Sequence, residues 1–153
     1  MNSRDHIMQG AIGAFLYSDI AGIAQQPGSA GYTDLLLWPR VTVHESLPFA
    51  SATYASIAGS ISVSWANATS AFTLAATVPL GVRAEVRLAA GPGASAGALV
   101  GREGGVTFFQ NGALVPGAVS GITSAAVLSV QGGASVLAVH VVSGSYAFNL
   151  TGW

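Results

Sequence analysis

The sequence predicts a mainly β protein, an antiparallel β-sandwich preceded by one N-terminal α-helix. Apolar residues recur every three or four positions only in the first two dozen residues. After Tyr32 the period falls to two, or to short continuous runs rich in β-formers. Breaks at Pro39, Pro48, Ala58-Gly59, Asn67 and Pro79 to Gly81 space those runs at hairpin distances.

The helix is carried by Ile7, Met8, Ala11, Ile12, Phe15, Leu16, Ile20 and Ile23, which fall on one helical face. Ser3 is placed to cap its start, Asp5 stands in the first turn where a negative charge suits the helix dipole, and Gly22 or Pro27-Gly28 marks where it must have stopped. The expected span is about residues 4 to 22. Gly10 and Gly13 inside it each disfavour helix by about 1 kcal/mol relative to Ala, which points to another helix or a ligand in close approach.

The first strands are expected at Leu35 to Trp38, Ala50 to Ala55, Gly59 to Trp65, Ala71 to Val78 and Ala84 to Leu88. Alternation is clearest where Ile61, Val63 and Trp65 interleave with Ser60, Ser62 and Ser64, and where Phe72, Leu74 and Ala76 interleave with Thr73, Ala75 and Thr77. Each such strand has one buried and one wet face. Residues 89 to 105, rich in Gly, Ala, Ser and Pro, read as a loop. Strands then resume at Val106 to Gln110, Ala125 to Val130, Val136 to Val142 and Ser145 to Leu150. No fixed-period repeat is visible, which disfavours a solenoid or propeller.

Composition narrows the function. The 153 residues suffice for one ordinary domain with a short appendage. Only 7% are charged, five Arg, six Asp or Glu and no Lys, where a soluble domain usually carries about a quarter. Five scattered arginines and a net charge of -1 do not build a phosphate-binding face, so no nucleic-acid partner is expected. Hydrophobic residues reach 51%, but 27 positions are Ala, and Gly, Ser and Thr interrupt every run well short of a membrane span. No signal-peptide layout opens the chain, and the compartment is left open. With no Cys, disulfides, thiolate metal sites and Cys nucleophiles drop out.

The polar residues give little chemistry by themselves. Asp5 and Asp19, fourteen residues apart on one helix, would be separated by about 21 Å, too far for a carboxylate pair. Asp34, Glu45, Glu85 and Glu103 fall near turns or on wet faces and read as solvated charges. His6, His44 and His140 share no ligand spacing, so no metal is expected and no cofactor is implied. His140 reads as a strand residue at a core edge and His44 as a loop or strand-start residue. There is no G-x-S-x-G, and Gly104-Gly105 lacks the strand-to-helix setting of a phosphate loop. His6 differs in place, because it opens a helix whose next turns carry Gly10 and Gly13. Two N-x-S/T sequons, at Asn67 and Asn149, matter only in a secretory pathway.

At this point one family pattern fits most of the chain. Ser3-Arg4-Asp5-His6 resembles the S-x-N-H of bacterial-type α-L-rhamnosidases and is followed, as there, by Gly10-Ala11-Ile12-Gly13, Leu16-Tyr17 and Ala21-Gly22-Ile23. Gly31-Tyr32 through Leu37, Pro39 and Arg40 resembles the exit from the family's catalytic barrel. Ala50 to Tyr54 with Gly59 to Trp65, Thr77-Val78-Pro79 before Ala84 to Leu88, Val115-Pro116-Gly117, Gly121-Ile122 and Ser143 to Phe148 resemble its later strands.

The resemblance implies that residues 1–30 are the terminal helix of an (α/α)6 six-hairpin barrel and residues 31–153 the C-terminal β-sandwich. It implies an inverting glycoside hydrolase that releases terminal α-L-rhamnose and whose two catalytic acids lie upstream of the matched stretch. By that reading no catalytic residue lies in this chain, which is then expected to be inactive alone. His6 matches a histidine that lines the sugar pocket and hydrogen-bonds a rhamnose hydroxyl in the parent enzyme, while Asp5 stands where the family has Asn. The implied partners are the rest of the barrel and, for the parent, a rhamnosylated glycoside; no cofactor, nucleic acid or membrane is implied. The alternative is a stand-alone carbohydrate-binding or structural sandwich, for which Trp38, Trp65, Tyr54, Tyr32 and Trp153 supply aromatics. Trp65 ends an alternating buried face and is assigned to the core, and Trp38 to core or an interface.

Overall fold

The computed structural model describes residues 7–40, 47–91, 93–130 and 134–153, with the backbone alone at 7–10. Ser3, Asp5, His6, His44 and Glu45 lie outside the described residues. The helical part begins with α1 (Ile7–Phe15) and continues as a π-helical segment (Leu16–Ala21). The expected single α-helix thus changes hand-hold after Phe15, its hydrogen bonds stepping out by one residue. It ends at Gly22, at φ +79°, whose N–H bonds back to the Tyr17 carbonyl.

Twelve strands follow among the described residues: β1 (Ile23–Gln25), β2 (Asp34–Leu37), β3 (Phe49–Ser56), β4 (Gly59–Ala68), β5 (Ala71–Val78), β6 (Arg83–Ala89), β7 (Val100–Glu103), β8 (Val106–Gln110), β9 (Ala113–Leu114), β10 (Ile122–Ser129), β11 (Ser135–Val141) and β12 (Gly144–Thr151). They form a five-stranded sheet, β1-β2-β6-β11-β10, and a seven-stranded sheet, β3-β4-β5-β12-β7-β8-β9. Pairing is antiparallel except between β2 and β6, which run parallel with Leu35 opposite Ala84.

The core lies between the inner faces of the two sheets. Ile61, Val63 and Trp65 of β4 and Phe72, Leu74, Ala76 and Val78 of β5 are buried, as their alternation requires. They meet Leu35, Leu37, Val86, Leu88, Leu137 and Val139 of the smaller sheet. Phe108 and Phe148 meet edge to face at 5.7 Å between ring centroids, a favourable aromatic geometry.

Two departures from the sequence expectation are instructive. Residues 89–105 hold β7 and the fully buried Leu99. The apolar signal is missing from β7 because its inward residue is Gly101, where an added Cβ would press on the ring of Phe108, the Cβ of Phe109 and a methyl of Leu137. The neighbours, not β7, fill that part of the core. β1, only three residues long and directly behind the helix, pairs Ile23 with Leu37 and so continues the helical apolar pattern into a strand.

The outer faces differ in kind. Four adjacent strands of the larger sheet, β3, β4, β5 and β12, contain no charged residue. Their register sets outward residues in rows across the strands, Thr53-Ser62-Thr77-Ser145 beside Ser51-Ser64-Ala75-Ala147. The smaller sheet carries Asp34 on β2 and Arg83, Glu85 and Arg87 at alternate positions of β6.

Candidate functional site

The described residues concentrate their polar interactions where the helical segment enters the sandwich. The last carbonyls of a helix have no partner within it, and here they are taken by the sandwich. The indole N–H of Trp65 donates to the Ile20 carbonyl at 2.9 Å, the Arg40 N–H to the Asp19 carbonyl at 3.0 Å, and the Trp38 N–H to the Gly22 carbonyl at 2.8 Å. Gly22 is required at this point: its φ is positive, and a Cβ there would run into the backbone of Trp38 and Pro39.

Side chains extend the junction across the outer face of the smaller sheet. Arg40 pairs with Asp19 at 3.1 Å. The guanidinium carbons of Arg40 and Arg87 lie 4.6 and 4.5 Å from the centroid of the Trp38 ring, each a cation–π contact worth about 0.5–2 kcal/mol. Arg87 in turn pairs with Glu85 at 2.6 Å, and Gln26 donates to the other Glu85 oxygen at 2.8 Å. A continuous chain, Asp19-Arg40-Trp38-Arg87-Glu85-Gln26, therefore ties the helical segment to β1, β2 and β6.

Glu85 is the polar residue that sequence reasoning placed wrongly. It was expected as a solvated charge, yet its side chain is only 11% exposed and both oxygens have donors. The available signal was Arg83, Glu85 and Arg87 at period two, which puts three charges of mixed sign on one strand face. Asp34 matches its expectation more closely, in an exposed pair with Arg83 at 3.2 Å. Asp19 is half-buried in its pair with Arg40, and Glu103 accepts the Ala147 N–H at 3.2 Å. His140 lies on β11 as expected, but exposed, opposite Glu85. With Gln26, Asp34, Arg83 and Thr123 it lines an open cleft of about 630 Å³. No group of three or more His, Asp or Glu among the described residues is arranged to hold a metal.

The aromatics separate by role. Trp65 is 3% exposed and stacks on Phe72, as assigned. Trp38 is half-buried beneath the two arginines, so neither tryptophan offers the free platform that a lectin needs. Tyr17 and Tyr32 both pack on Tyr54, at 5.6 and 4.6 Å between centroids. The hydrogen bond with Tyr54, aided by burial, pushes the Tyr32 phenol up to about 12. Burial, with Glu103 adding, also raises the Tyr146 phenol, which donates to the Val142 carbonyl at 2.9 Å.

Beyond the junction two large aliphatic side chains of the helical segment are exposed among the described residues. Ile12 is 63% and Leu16 50% exposed; four residues apart, they share one side of the helix. The arrangement is a helix stem anchored on the sandwich by Trp65, Arg40 and Trp38, with Ile12 and Leu16 exposed.

Comparison with known proteins follows the same lines. Residues 22–100, just over half of the chain, match the family model described as bacterial alpha-L-rhamnosidase C-terminal domain. Over 86 residues the chain is 40% identical to an alpha-L-rhamnosidase of Streptomyces avermitilis, and over 85 residues 32% identical to one of Alteromonas sp. (strain LOR). Each match takes in 56% of this chain but only 8% and 9% of the relative. Among solved structures, 99% of the chain superposes on 14% of the alpha-L-rhamnosidase from Dictyoglumus thermophilum, with a TM-score of 0.66 and 24% identity, a likeness of fold. It also superposes, over 97% of its length, on 12% of the Streptomyces avermitilis alpha-L-rhamnosidase complexed with L-rhamnose, with a TM-score of 0.60 and 28% identity.

Proposed function

The chain belongs to the bacterial alpha-L-rhamnosidase C-terminal domain family, and on that premise we propose that it supplies the accessory β-sandwich and the terminal barrel helix of an α-L-rhamnosidase. The observation that carries this reading is the helix stem, fixed by Gly22, Trp65 and the Asp19–Arg40 pair yet leaving Ile12 and Leu16 exposed. Such a stem is built to continue into a larger helical body. In the parent enzyme that body is the rest of an (α/α)6 barrel, closed by the helical segment that ends at Gly22, with β1 onward forming the sandwich.

The chemistry of the parent is inverting hydrolysis of terminal α-L-rhamnose. One carboxylic acid protonates the departing oxygen while a second carboxylate activates water across the ring, the two standing about 6.5–9.5 Å apart. Both acids belong to the upstream part. Within this chain the described carboxylates are engaged structurally, Asp19, Asp34 and Glu85 in ion pairs and Glu103 with a backbone N–H. His6, which directly precedes α1 in sequence, lines the sugar pocket and hydrogen-bonds a rhamnose hydroxyl. The junction's part is indirect: it sets the angle at which α1 leaves the sandwich.

The test has two arms. The 153-residue chain is expected to release no p-nitrophenol from p-nitrophenyl α-L-rhamnopyranoside and no heat with L-rhamnose, and clear turnover would refute the reading. Sequencing the genomic DNA upstream of Met1 is expected to find an in-frame helical-barrel segment; a promoter and a stop codon there would sink it.

A further inference from the structure

We propose that the cleft on the outer face of the smaller sheet binds a short neutral oligosaccharide, held by hydrogen bonds to Gln26, Asp34, Arg83, Ser124 and His140. The binding is a property of this chain's own groups and does not rest on the assignment to a parent enzyme.

The cleft has a floor and two built walls. Its floor is one register row across adjacent strands, Glu85 of β6, His140 of β11 and Ser124 of β10. One wall is the β1–β2 connection, which is fixed from within. The Asp34 N–H donates to the Ser29 hydroxyl at 3.1 Å, and the Gln26 N–H to the Asp34 carbonyl and the Ser29 N–H to the Gln26 carbonyl, both at 3.0 Å. The other wall begins at a register shift between Ile122 and Ser124, an irregularity of the kind that re-aims side chains and gathers beside functional sites. There Thr123 donates to the His140 carbonyl at 3.1 Å, and the Val142 N–H to the Gly121 carbonyl at 3.0 Å. Both walls are thus held by the chain itself, so a ligand has little loop ordering to offset.

The groups on offer select the ligand. Carboxylates and guanidiniums cancel locally, Asp34 with Arg83 and Glu85 with Arg87, so the cleft has no surplus charge to attract an ion. Hydrogen-bonding capacity is left over all the same. Arg83 spends its Nε on one Asp34 oxygen and Gln26 its amide nitrogen on Glu85, while the His140 ring and the Ser124 hydroxyl bond to no other described residue. Unused donors on Arg83 therefore stand among unused acceptors on Asp34 and Gln26, with His140 and Ser124 able to do both. An uncharged ligand whose groups each donate and accept is a polyol. Pro27 and Val142, exposed on opposite walls, add apolar surface for the C–H faces of a sugar. The volume of about 630 Å³ falls within the about 300–1,000 Å³ of small-molecule sites and exceeds what one sugar ring fills, which favours two or more linked rings. No aromatic ring lines the cleft, so it is no lectin platform: hydrogen bonds exposed to water set a weak affinity, Kd about 1 mM. Such a site contributes most when the same glycan is also held elsewhere in a longer protein; that use rests on the parent-enzyme reading, whereas the binding does not.

The test titrates the isotope-labelled 153-residue chain with rutinose, cellotriose and maltotriose, three neutral probes, and follows its backbone amides by NMR. At least one probe is expected to give saturable shifts centred on Arg83, Thr123, Ser124 and His140, with Kd about 1 mM. Free L-rhamnose, a single ring, and digalacturonate, a charged disaccharide, should both bind more weakly than that probe. His140→Ala and Arg83→Met, both at exposed side chains, should each weaken binding about threefold to tenfold, the loss of about one hydrogen bond, with spectra unchanged away from the substituted residue. Thr73→Ala on the larger sheet should leave the affinity as it was. Saturation by none of the three probes would overturn the proposal, as would shifts centred on the larger sheet, an unaltered affinity in both cleft variants, or tighter binding of L-rhamnose or digalacturonate.

Discussion

Replacing Gly22 with Ala should destabilise the fold far more than the same change at Gly28, although the two glycines have nearly equal backbone angles, φ +79° and +83°. At Gly28 nothing lies within 4 Å of the added Cβ. The left-handed conformation disfavours Ala by about 1–2 kcal/mol, offset by about 0.4–1 kcal/mol from the stiffer unfolded chain, for a net loss of about 1 kcal/mol. At Gly22 the Cβ would also overlap backbone atoms of Trp38 and of the buried Pro39. Moving them aside breaks the bonds from Trp38 N–H to Gly22 and from Arg40 N–H to Asp19, each worth about 1 kcal/mol. The total is about 3 kcal/mol. At about 2–4 °C per kcal/mol for a chain of this size, the Gly22→Ala melting temperature should fall by about 6–12 °C and that of Gly28→Ala by about 2–4 °C, read by circular dichroism at a fixed scan rate. Equal shifts in the two variants would refute the claim that the helix exit is sterically locked.

Arg87→Met should cost about 2 kcal/mol in urea denaturation, because Glu85 loses its 2.6 Å partner while mostly buried; Arg83→Met, at a pair with side chains 77% and 41% exposed, should change stability by less than about 0.5 kcal/mol. The Tyr32 phenol keeps its proton in the folded chain above the ordinary value of 10.0 and up to about 12, so its contribution is complete below pH 10 and is lost as pH rises toward 12. Stability should therefore fall across that window, and Tyr54→Phe, which removes the main cause, should make the fall shallower; an unchanged slope would show that the Tyr54 hydroxyl is not responsible.

The sandwich was legible because its longest strands follow their burial. β4 and β5 alternate Ile61, Val63, Trp65 and Phe72, Leu74, Ala76 with small polar residues, and the buried faces are those. The sheet partition was not, since alternation reveals which face is buried but not which strand lies next to which. β7 escaped notice because Gly101 gives its space to Phe108 and Phe109. Glu85 was misplaced for a related reason: a single strand cannot show that Arg87, two residues on, and Gln26, fifty-nine residues back, close over its carboxylate. The family pattern was legible from the order of short motifs, and residues 22–100 are the part the family model matches.

The place of β12 bears on how the chain comes together. The last strand in sequence is an interior strand of the larger sheet, pairing with β5 from Gly144 to Thr151 on one side and with β7 on the other. The β3-β4-β5 meander closes through short hairpins, whereas the β12–β5 seam must join residues as far apart as Ala71 and Thr151. On a ribosome the meander is complete early, but the sheet stays in two pieces until the final eight strand residues clear the exit tunnel. Closure of the larger sheet therefore waits for the synthesis of β12, the slow, non-local step of the sandwich, and until then the open margins of β5 and β7 are the surfaces at which misassembly with a neighbouring nascent chain begins.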